Sequence, residues 1–501
     1  MNDIRVTYSG LISFAIRLVS VITGLVVTMI ITRTLSTEEF GAWGLINGLM
    51  IYGIILSSTI EYWVVRETAR NENSAKTAIV SSTFFSAIGI LIYLIISFFV
   101  AEESNVNVLT VIFAAILIPF TFVNNTLSSF IRGFKPEGAS YGFLVFELIK
   151  IPAVIIFVYY LQMGVEGAIL GVLISYIANI AILFKLGKNK IKSKYNVKYL
   201  KKWIRLFWIP IYRMFPGILS LSDVIIFSVI TGSVTGVAYF TAARIVATIV
   251  SHARFVSYGL YPKLLEGGKQ EHLQENLIQL FYFAIPLMSL SISLSKPALF
   301  ALNPLYAIAY PVIIFLTFRA FLSSVGKIFF DALQGIEKVD LDKDAGFREF
   351  AKSKLMWYPT LQFVRNGTYF ISLGIIFYIL VNNVEEIELV IYWAMIGFII
   401  EVPLMIFVYF QVRKHFTLNI DTKRIVKFVV SAIVSFGLTF WATQEFLIYN
   451  EKIIEFAPQL MAFALIGIMS YLGLTYLLDK KTRIMFTVIL HELKPKKRKD
   501  D

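Results

Sequence analysis

The segment KLGKNKIKSKYNVKYLKKWIR, residues 185–205, is the densest run of positive charge between the hydrophobic segments of this chain. Nearly every second residue in it is Lys or Arg, and none is acidic. Basic loops stay on the cytoplasmic side of a membrane, so this segment predicts the orientation of the apolar segments on both sides of it. It also predicts a boundary between two halves of the chain.

The composition is typical of a polytopic membrane protein. Of the 501 residues, 57% are hydrophobic and 16% are charged, and the mean hydropathy is +0.73. Soluble globular proteins of this length do not have such a composition. The net charge of +13 comes from short basic clusters between apolar runs, which favours anionic lipid head groups over nucleic acid as partners. The chain has no Cys, which excludes disulfides, thiolate metal sites and cysteine catalysis.

Long apolar runs predict about fourteen membrane-spanning helices, since roughly 20 apolar residues are needed to cross a bilayer. The first run is too long for a signal-peptide core and is not followed by a small-residue cleavage site, so we interpret it as a retained span. The predicted spans are residues 11–34, 40–66, 76–100, 107–131, 141–162, 164–185, 206–231, 234–262, 276–296, 305–331, 357–381, 387–412, 425–447 and 456–478.

The loops between these spans alternate in charge. Every second loop carries Lys or Arg, whereas the others are short and poor in basic residues, as in AEESNVN after Val100 and NNVEEIE after Val381. Arg33, Lys296 and Lys452 are the exceptions. This alternation predicts an even number of spans in the cell membrane, with both termini in the cytoplasm.

Similar turns six spans apart predict a parallel repeat of two six-helix lobes. The turn at residues 35–43 has a counterpart at 232–240, and the inner ends at 131–135 and 333–338 also correspond. We therefore expect an all-α fold with an N-terminal lobe at residues 1–187, a basic cytoplasmic linker at 188–205, a C-terminal lobe at 206–415, two further spans at 416–480 and a basic cytoplasmic tail at 481–501. Arg483–Leu493 in the tail predicts an interfacial helix.

The stretch TGLVVTMIITRTLSTEEFGAWGLI, residues 23–46, resembles the start of polysaccharide and oligosaccharide-lipid flippases. Arg132-Gly133 and Tyr261-Pro262 resemble the same family, which belongs to the multidrug/oligosaccharidyl-lipid/polysaccharide exporter superfamily. The resemblance implies two lobes that form a V around a central cavity, and alternating access that moves a lipid-linked sugar from the inner to the outer leaflet. The inner loop 335–356 is longer than is usual for the family, and nothing in the sequence assigns it a role.

Ionisable residues within the spans are the candidate functional residues. Such a group costs roughly 2.5–3.5 kcal/mol at the bilayer centre and normally faces protein or water. Arg213 lies between Pro210 and Pro216, which should kink its helix. Neither Arg213 nor Arg319 has an acid at its depth on the same or an adjacent span. Because a guanidinium binds phosphate bidentately, we expect both to line a cationic substrate cavity.

The resemblance adds Arg17 and Arg244 to this cavity, because related flippases carry cavity arginines in their first and eighth spans. For Arg17, as for Arg254 and Arg365, snorkelling of the side chain to inner-leaflet head groups is the alternative. No other residue is assigned to the substrate by the resemblance.

Acidic residues at depth are candidates for coupling-ion sites or for structural ion pairs. The candidates are Glu61, Asp223 and Glu401, and Glu401 could also reach Arg319 across the bundle. Matching depths predict the pairs Asp223–Arg244 and Arg17–Glu61, and a spacing of one helical turn predicts the pair Glu147–Lys150. In the structural interpretation, each charge of a pair offsets the cost of burying the other in a medium of low dielectric constant.

These features favour a transporter that flips a polyprenyl-(pyro)phosphate-linked oligosaccharide for surface polysaccharide or glycoprotein assembly. An ion-coupled exporter of drugs or other lipids is the alternative, although a cavity for cationic drugs would be acidic and Arg dominates at depth here. A membrane glycosyltransferase or polymerase is less favoured, because it would need a substantial outside loop and the outside loops here are nearly all short. The sequence has no phosphate-binding Gly loop, HExxH motif or cluster of metal ligands, so we expect no cofactor, metal or ATP hydrolysis. The expected partners are the lipid-linked saccharide, membrane lipids and a coupling ion.

Overall fold

The computed structural model describes residues 6–69, 72–192, 194–257, 270–336 and 347–484, and all regular elements in these ranges are helical. The first twelve α-helices are α1 Val6–Thr34, α2 Thr37–Ile54, α3 Ser57–Ala69, α4 Ala75–Glu103, α5 Val108–Phe113, α6 Leu117–Arg132, α7 Pro136–Val154, α8 Gly164–Ile191, α9 Val197–Arg205, α10 Trp208–Leu221, α11 Asp223–Thr231 and α12 Thr235–Ala247. The others are α13 Gln270–Ser293, α14 Ser295–Leu302, α15 Tyr310–Gly335, α16 Phe347–Lys352, α17 Lys354–Leu380, α18 Glu386–Arg413, α19 Thr422–Phe446 and α20 Ile453–Leu478. Short 3₁₀ segments cover Ala114–Ile116, Thr248–Ser257 and Pro304–Ala309, and Ile155–Tyr160 is a π-helix.

The all-helical membrane architecture is confirmed, but the count of fourteen spans is not. Within the described residues, 12 helices are long and apolar enough to cross a membrane, or 13 if α2 and α3, bent by 60°, form one span. Helix α1 covers the first predicted span, and its Thr23–Thr34 part counts only as a shorter apolar helix. The predicted interfacial helix at Arg483–Leu493 lies almost wholly outside the described residues. Tyr261-Pro262 and residues 337–346 of the inner loop 335–356 also lie outside them.

The bend between α2 and α3 divides the second predicted span. Ser57 and Ser58 follow the bend, and the Ser58 hydroxyl donates to the Ile55 carbonyl at 2.7 Å. Serine pairs are common at sharp kinks because their hydroxyls offer the backbone an alternative partner. Gly53, just before the bend, lies so close to α4 that its carbonyl oxygen would collide with a Cβ at Gly89. The small residues therefore allow both the bend and the close packing.

The two corresponding turns at residues 35–43 and 232–240 lie at helix ends, and their residues explain why. Ser36 caps α2, since Glu39 N donates to Ser36 Oγ at 3.1 Å and Ser36 N donates to Glu39 Oε2 at 2.8 Å. This reciprocal pair is a capping box. Gly232 ends α11 with φ +64°, a left-handed conformation that glycine adopts without strain. Both turns lie where apolar helices change direction.

The described chain packs into two compact units. The first contains Met1–Thr241 and Gln362–Val390, and the second contains Ala242–Leu361 and Ile391–Asp501. In the first unit a buried cluster includes Ile60, Leu127, Phe130, Leu183 and Trp203. In the second unit, one cluster includes Leu277, Phe329 and Val408, and another includes Tyr282, Phe428 and Tyr471. The lobe boundaries at residues 1–187 and 206–415 stay a prediction.

The basic linker contains a helix that is anchored to the first unit. Asn196 caps α9, and Trp203 in that helix is 1% exposed. The Trp203 indole nitrogen and Lys202 Nζ both donate to Glu67 Oε1 at 3.1 Å. Glu67 is itself 1% exposed, so its buried charge is compensated by a cation and by a hydrogen bond. The charge pattern of the linker did not predict this anchor.

Replacing Trp203 by Ala is expected to lower the free energy of unfolding by roughly 3–5 kcal/mol, because the substitution leaves a large cavity and removes a hydrogen bond to a buried carboxylate. The matched control is Trp208→Ala, because Trp208 is 37% exposed and close in sequence. Thermal denaturation of the two purified variants measures the difference. Equal losses of stability would contradict the anchor.

A second polar anchor joins the start of α19 to the end of α20. Asp479 is 4% exposed and accepts hydrogen bonds from Arg424 Nε at 3.0 Å and from Thr482 Oγ1 at 2.7 Å. Burial alone would raise the pKa of Asp479. The hydrogen bonds from Thr482 and Arg424, together with the Arg424 charge, outweigh burial and hold the pKa below its ordinary value of 3.8.

This lowered pKa predicts a pH-dependent contribution to stability. A carboxyl whose pKa is lower in the folded state stabilises the fold fully above its unfolded pKa, and the contribution is lost as the pH falls through the folded pKa. Asp479→Asn should therefore cost about 1.5–3 kcal/mol at neutral pH, and the difference from wild type should shrink as the pH falls below 3.8. Thermal unfolding of both proteins across this range measures it, and a difference independent of pH would refute the assignment.

Candidate functional site

Arg213 lies on the interrupted seventh predicted span. Pro216 is inside α10, where it removes an N–H from the helical ladder, and the helix ends at Leu221 before α11 begins at Asp223. The Arg213 side chain is exposed, and no hydrogen bond or ion pair joins it to any other residue that the structure describes. An exposed guanidinium with all of its donors available is suited to bind an anionic ligand.

Asp223 lies in a buried polar cluster formed by the seventh and eleventh predicted spans. It is 3% exposed, and its Oδ2 accepts a hydrogen bond from the Tyr369 hydroxyl of α17 at 2.9 Å. Asn366, one turn before Tyr369, donates its amide to the carbonyl of Pro216. Asp223 also begins α11, where the helix dipole favours a negative charge. Asn366 thus bridges two helices.

Arg319 lies against the backbone of α18 in the second unit. A Cβ built at Gly397 would be 2.5 Å from Arg319 Nη1 and 3.0 Å from its Cζ. The lack of a side chain at Gly397 therefore leaves room for the guanidinium against α18. Glu401 is 4% exposed and one turn beyond Gly397, on the face of α18 that Arg319 contacts. Arg319 and Glu401 both take part in polar interactions.

For the other predicted residues, the structure shows fewer contacts. Glu61 accepts a hydrogen bond from the Ser57 hydroxyl at 2.6 Å. Arg17 belongs to α1, but its side chain lies outside the described residues. Arg244 is partly buried on α12 and takes part in polar interactions. The pairs Asp223–Arg244 and Arg17–Glu61 stay predictions.

The ion pair predicted between Glu147 and Lys150 is confirmed. Lys150 Nζ lies 2.9 Å from Glu147 Oε1, and the Thr23 hydroxyl donates to Glu147 Oε2 at 2.6 Å. Glu147 is 5% exposed, so both partners compensate its charge inside the first unit. The hydrogen bond from Thr23 to Glu147 joins α1 to α7, which favours the structural interpretation of the Glu147–Lys150 pair.

Sequence reasoning missed Tyr369 and Gly397. Tyr369 follows Asn366 by three residues and so lies on the same helical face, but this spacing does not identify Asp223 as its partner. Gly397 is one of several glycines in apolar helices, and only the packed structure distinguishes it. Gly374 and Gly437, for example, have no atom within 4 Å of a Cβ built on them.

The comparisons with known proteins agree with this architecture. A family model described as polysaccharide biosynthesis protein matches residues 7–267. The chain is similar to a structure of the lipid II flippase MurJ in an inward closed conformation, with 16% identity, 93% of this chain and 98% of that chain covered, and a TM-score of 0.64. It is also similar to an inward-facing multidrug resistance MATE family transporter of the MOP superfamily, with 15% identity, 81% and 98% of the two chains covered, and a TM-score of 0.54. No curated protein matches the chain.

Proposed function

Because this chain belongs to the polysaccharide biosynthesis protein family, we propose that it flips a polyprenyl-(pyro)phosphate-linked oligosaccharide from the cytoplasmic to the outer leaflet of the cell membrane. The observation that carries the proposal is the exposed Arg213 guanidinium, which has no acidic partner among the described residues. The similarity of the fold to that of the lipid II flippase MurJ supports the same class of activity. The basic loops support cytoplasmic termini.

In this proposal the arginines supply the substrate chemistry. Arg213 binds a phosphate oxygen of the lipid, because a guanidinium forms two parallel hydrogen bonds to a phosphate. Arg319, Arg244 and Arg17 are the further proposed cationic contacts. The acyl chain stays in lipid, and alternating access moves the head group between leaflets, with no covalent step and therefore no enzymatic reaction.

The energy source in this proposal is a coupled ion or the membrane potential. Asp223 is the strongest ion-site candidate, because its buried carboxylate already accepts hydrogen bonds from the Tyr369 hydroxyl and from Val224 N. Glu61 and Glu401 are the other candidates. A coupling ion would have to bind with different affinity in the two conformations of the transporter.

An ion-coupled multidrug exporter is the second candidate, favoured by the likeness to the MATE family transporter and by the buried Asp223 carboxylate. Reconstitution distinguishes the two. Proteoliposomes that hold a fluorescent polyprenyl diphosphate-linked oligosaccharide in the inner leaflet would be treated with an external membrane-impermeant quencher, with and without an imposed ion gradient. Faster quenching than in protein-free liposomes supports the proposal. Export of a cationic dye without lipid movement supports the alternative.

A further inference from the structure

We propose that a cavity inside the first unit binds one hydroxyl-rich saccharide residue. The cavity has a volume of about 470 Å³ and is lined by α1, α6, α7 and α8. This volume falls within the range of roughly 300–1,000 Å³ that is usual for small-molecule sites. Arg213, Asp223 and Arg319 do not line it.

Two buried amides in this cavity have unpaired oxygens. Asn124 is 8% exposed and Asn179 is 3% exposed, and both side chains line the cavity. The Oδ1 atom of each has no hydrogen-bond partner among the described residues. Asn124 Nδ2 reaches only Asn125 Oδ1, at 3.5 Å. Because buried polar groups in folded proteins are nearly always paired, these two acceptors indicate a ligand or bound water.

The position of Asn179 depends on a glycine in the neighbouring helix. A Cβ built at Gly142 of α7 would overlap Asn179 Oδ1. Gly142 therefore makes room for the amide of Asn179 at the cavity wall. An amide that is buried, unpaired and accommodated by a glycine is a feature that core packing alone does not require.

The lining favours a neutral, hydroxyl-rich ligand over a metal cation. None of the described residues that line the cavity is acidic. Amides and serine hydroxyls such as Ser128 both donate and accept, as do sugar hydroxyls. The rings of Phe146 and Tyr176 lie 5.0 Å apart and offer apolar surface to the C–H face of a sugar ring.

Arg132 adds a positive charge to one end of this cavity. It lies at the C-terminal end of α6, is exposed, and donates from Nη2 to Ser129 Oγ at 3.3 Å. Its remaining donors can bind a carboxylate or phosphate substituent. The loop that follows Arg132 is one of those that the charge pattern predicts to be cytoplasmic, so the site would be reached from the leaflet where the proposed substrate begins.

This inference rests on the proposed function, because the saccharide would be the head group of the transported lipid. The chain has no Cys, so Ser128→Cys introduces a single reporter thiol into the cavity. Asn382→Cys is the matched control, since Asn382 is exposed and does not line the cavity. The measurement is the rate of maleimide labelling of each full-length variant in proteoliposomes.

Four probes define the ligand: free N-acetylglucosamine, free glucuronic acid, a polyprenyl diphosphate that carries N-acetylglucosamine, and the same polyprenyl diphosphate without a sugar. A sugar-bearing probe at about twice its Kd should slow labelling of Ser128→Cys about threefold, because the unoccupied fraction is 1/(1 + [L]/Kd). Labelling of Asn382→Cys should not change. Adding Asn124→Leu, which keeps the side-chain shape without the amide, should abolish protection.

Three results would overturn the site. The first is that no sugar-bearing probe protects the thiol, which would mean that the cavity holds only water. The second is equal protection by the polyprenyl diphosphate without sugar. The third is unchanged protection in the Asn124→Leu protein. Thermal denaturation of that variant without ligand checks its folding. Flipping by wild type without protection would remove this inference and leave the proposed function. Protection without flipping would leave the saccharide site and remove the transport proposal.

Discussion

Arg213→Ala is expected to slow flipping of a polyprenyl diphosphate-linked oligosaccharide by roughly tenfold to a hundredfold, while leaving thermal stability near that of wild type. The rate falls because each charge-assisted hydrogen bond to a phosphate contributes about 1.5–3 kcal/mol. Stability is spared because the Arg213 side chain is exposed and bonded to no other described residue. Initial quenching rates in proteoliposomes and a thermal melt give both values.

The matched control for this change is Arg205→Ala. Arg205 is also exposed, on the linker helix α9, so its removal takes away the same charge at a position outside the predicted spans. Arg213→Lys should recover part of the rate, because an ammonium keeps the charge but not the bidentate geometry. If Arg213→Ala flips the lipid at the wild-type rate, or if Arg205→Ala loses as much of the rate, then Arg213 does not belong to the substrate site.

Gly397→Ala is expected to lower the flipping rate about tenfold to a hundredfold without destabilising the protein. The added Cβ would lie 2.5 Å from Arg319 Nη1, so the guanidinium must move, and a shift of about 1 Å in a positioning group can cost a hundredfold in rate. Ala is about 1 kcal/mol more favourable than Gly inside a helix, which offsets the strain. Flipping and thermal unfolding of the same preparation measure the two effects.

Gly437→Ala is the matched control in the same unit, because a Cβ at Gly437 meets no atom within 4 Å. It should keep the wild-type flipping rate. If Gly397 acts by positioning Arg319, then the double variant Gly397→Ala with Arg319→Ala should be no slower than Arg319→Ala alone. Additive losses would show that Gly397 acts by another route.

The features that could be predicted from the sequence are those that depend on local spacing. Apolar length identified the helices, since a helix must satisfy its own backbone in lipid. Glu147 and Lys150 are three residues apart, and the 3.6-residue period alone brings their side chains together. Pro216 predicted an irregular seventh span for the same reason, because a missing N–H is a local property.

The features that could not be predicted depend on packing between distant segments. The hydrogen bond from Tyr369 to Asp223 joins residues 146 positions apart, and no local period relates them. Trp203 was not predicted to be buried, because it lies beside lysines in the linker and their charge indicated a solvated segment. The bend between α2 and α3 was missed because the whole stretch is apolar enough to read as one span, and small residues permit a kink without requiring it.

The central claim is that cationic side chains select a lipid by its phosphate. The most direct test compares flipping of one fluorescent oligosaccharide carried either by polyprenyl diphosphate or by diacylglycerol, in the same wild-type proteoliposomes. We expect rapid flipping of the diphosphate-linked lipid and no flipping of the diacylglycerol-linked lipid above the protein-free background. Equal rates for the two lipids would contradict it, because recognition would then not involve the phosphate.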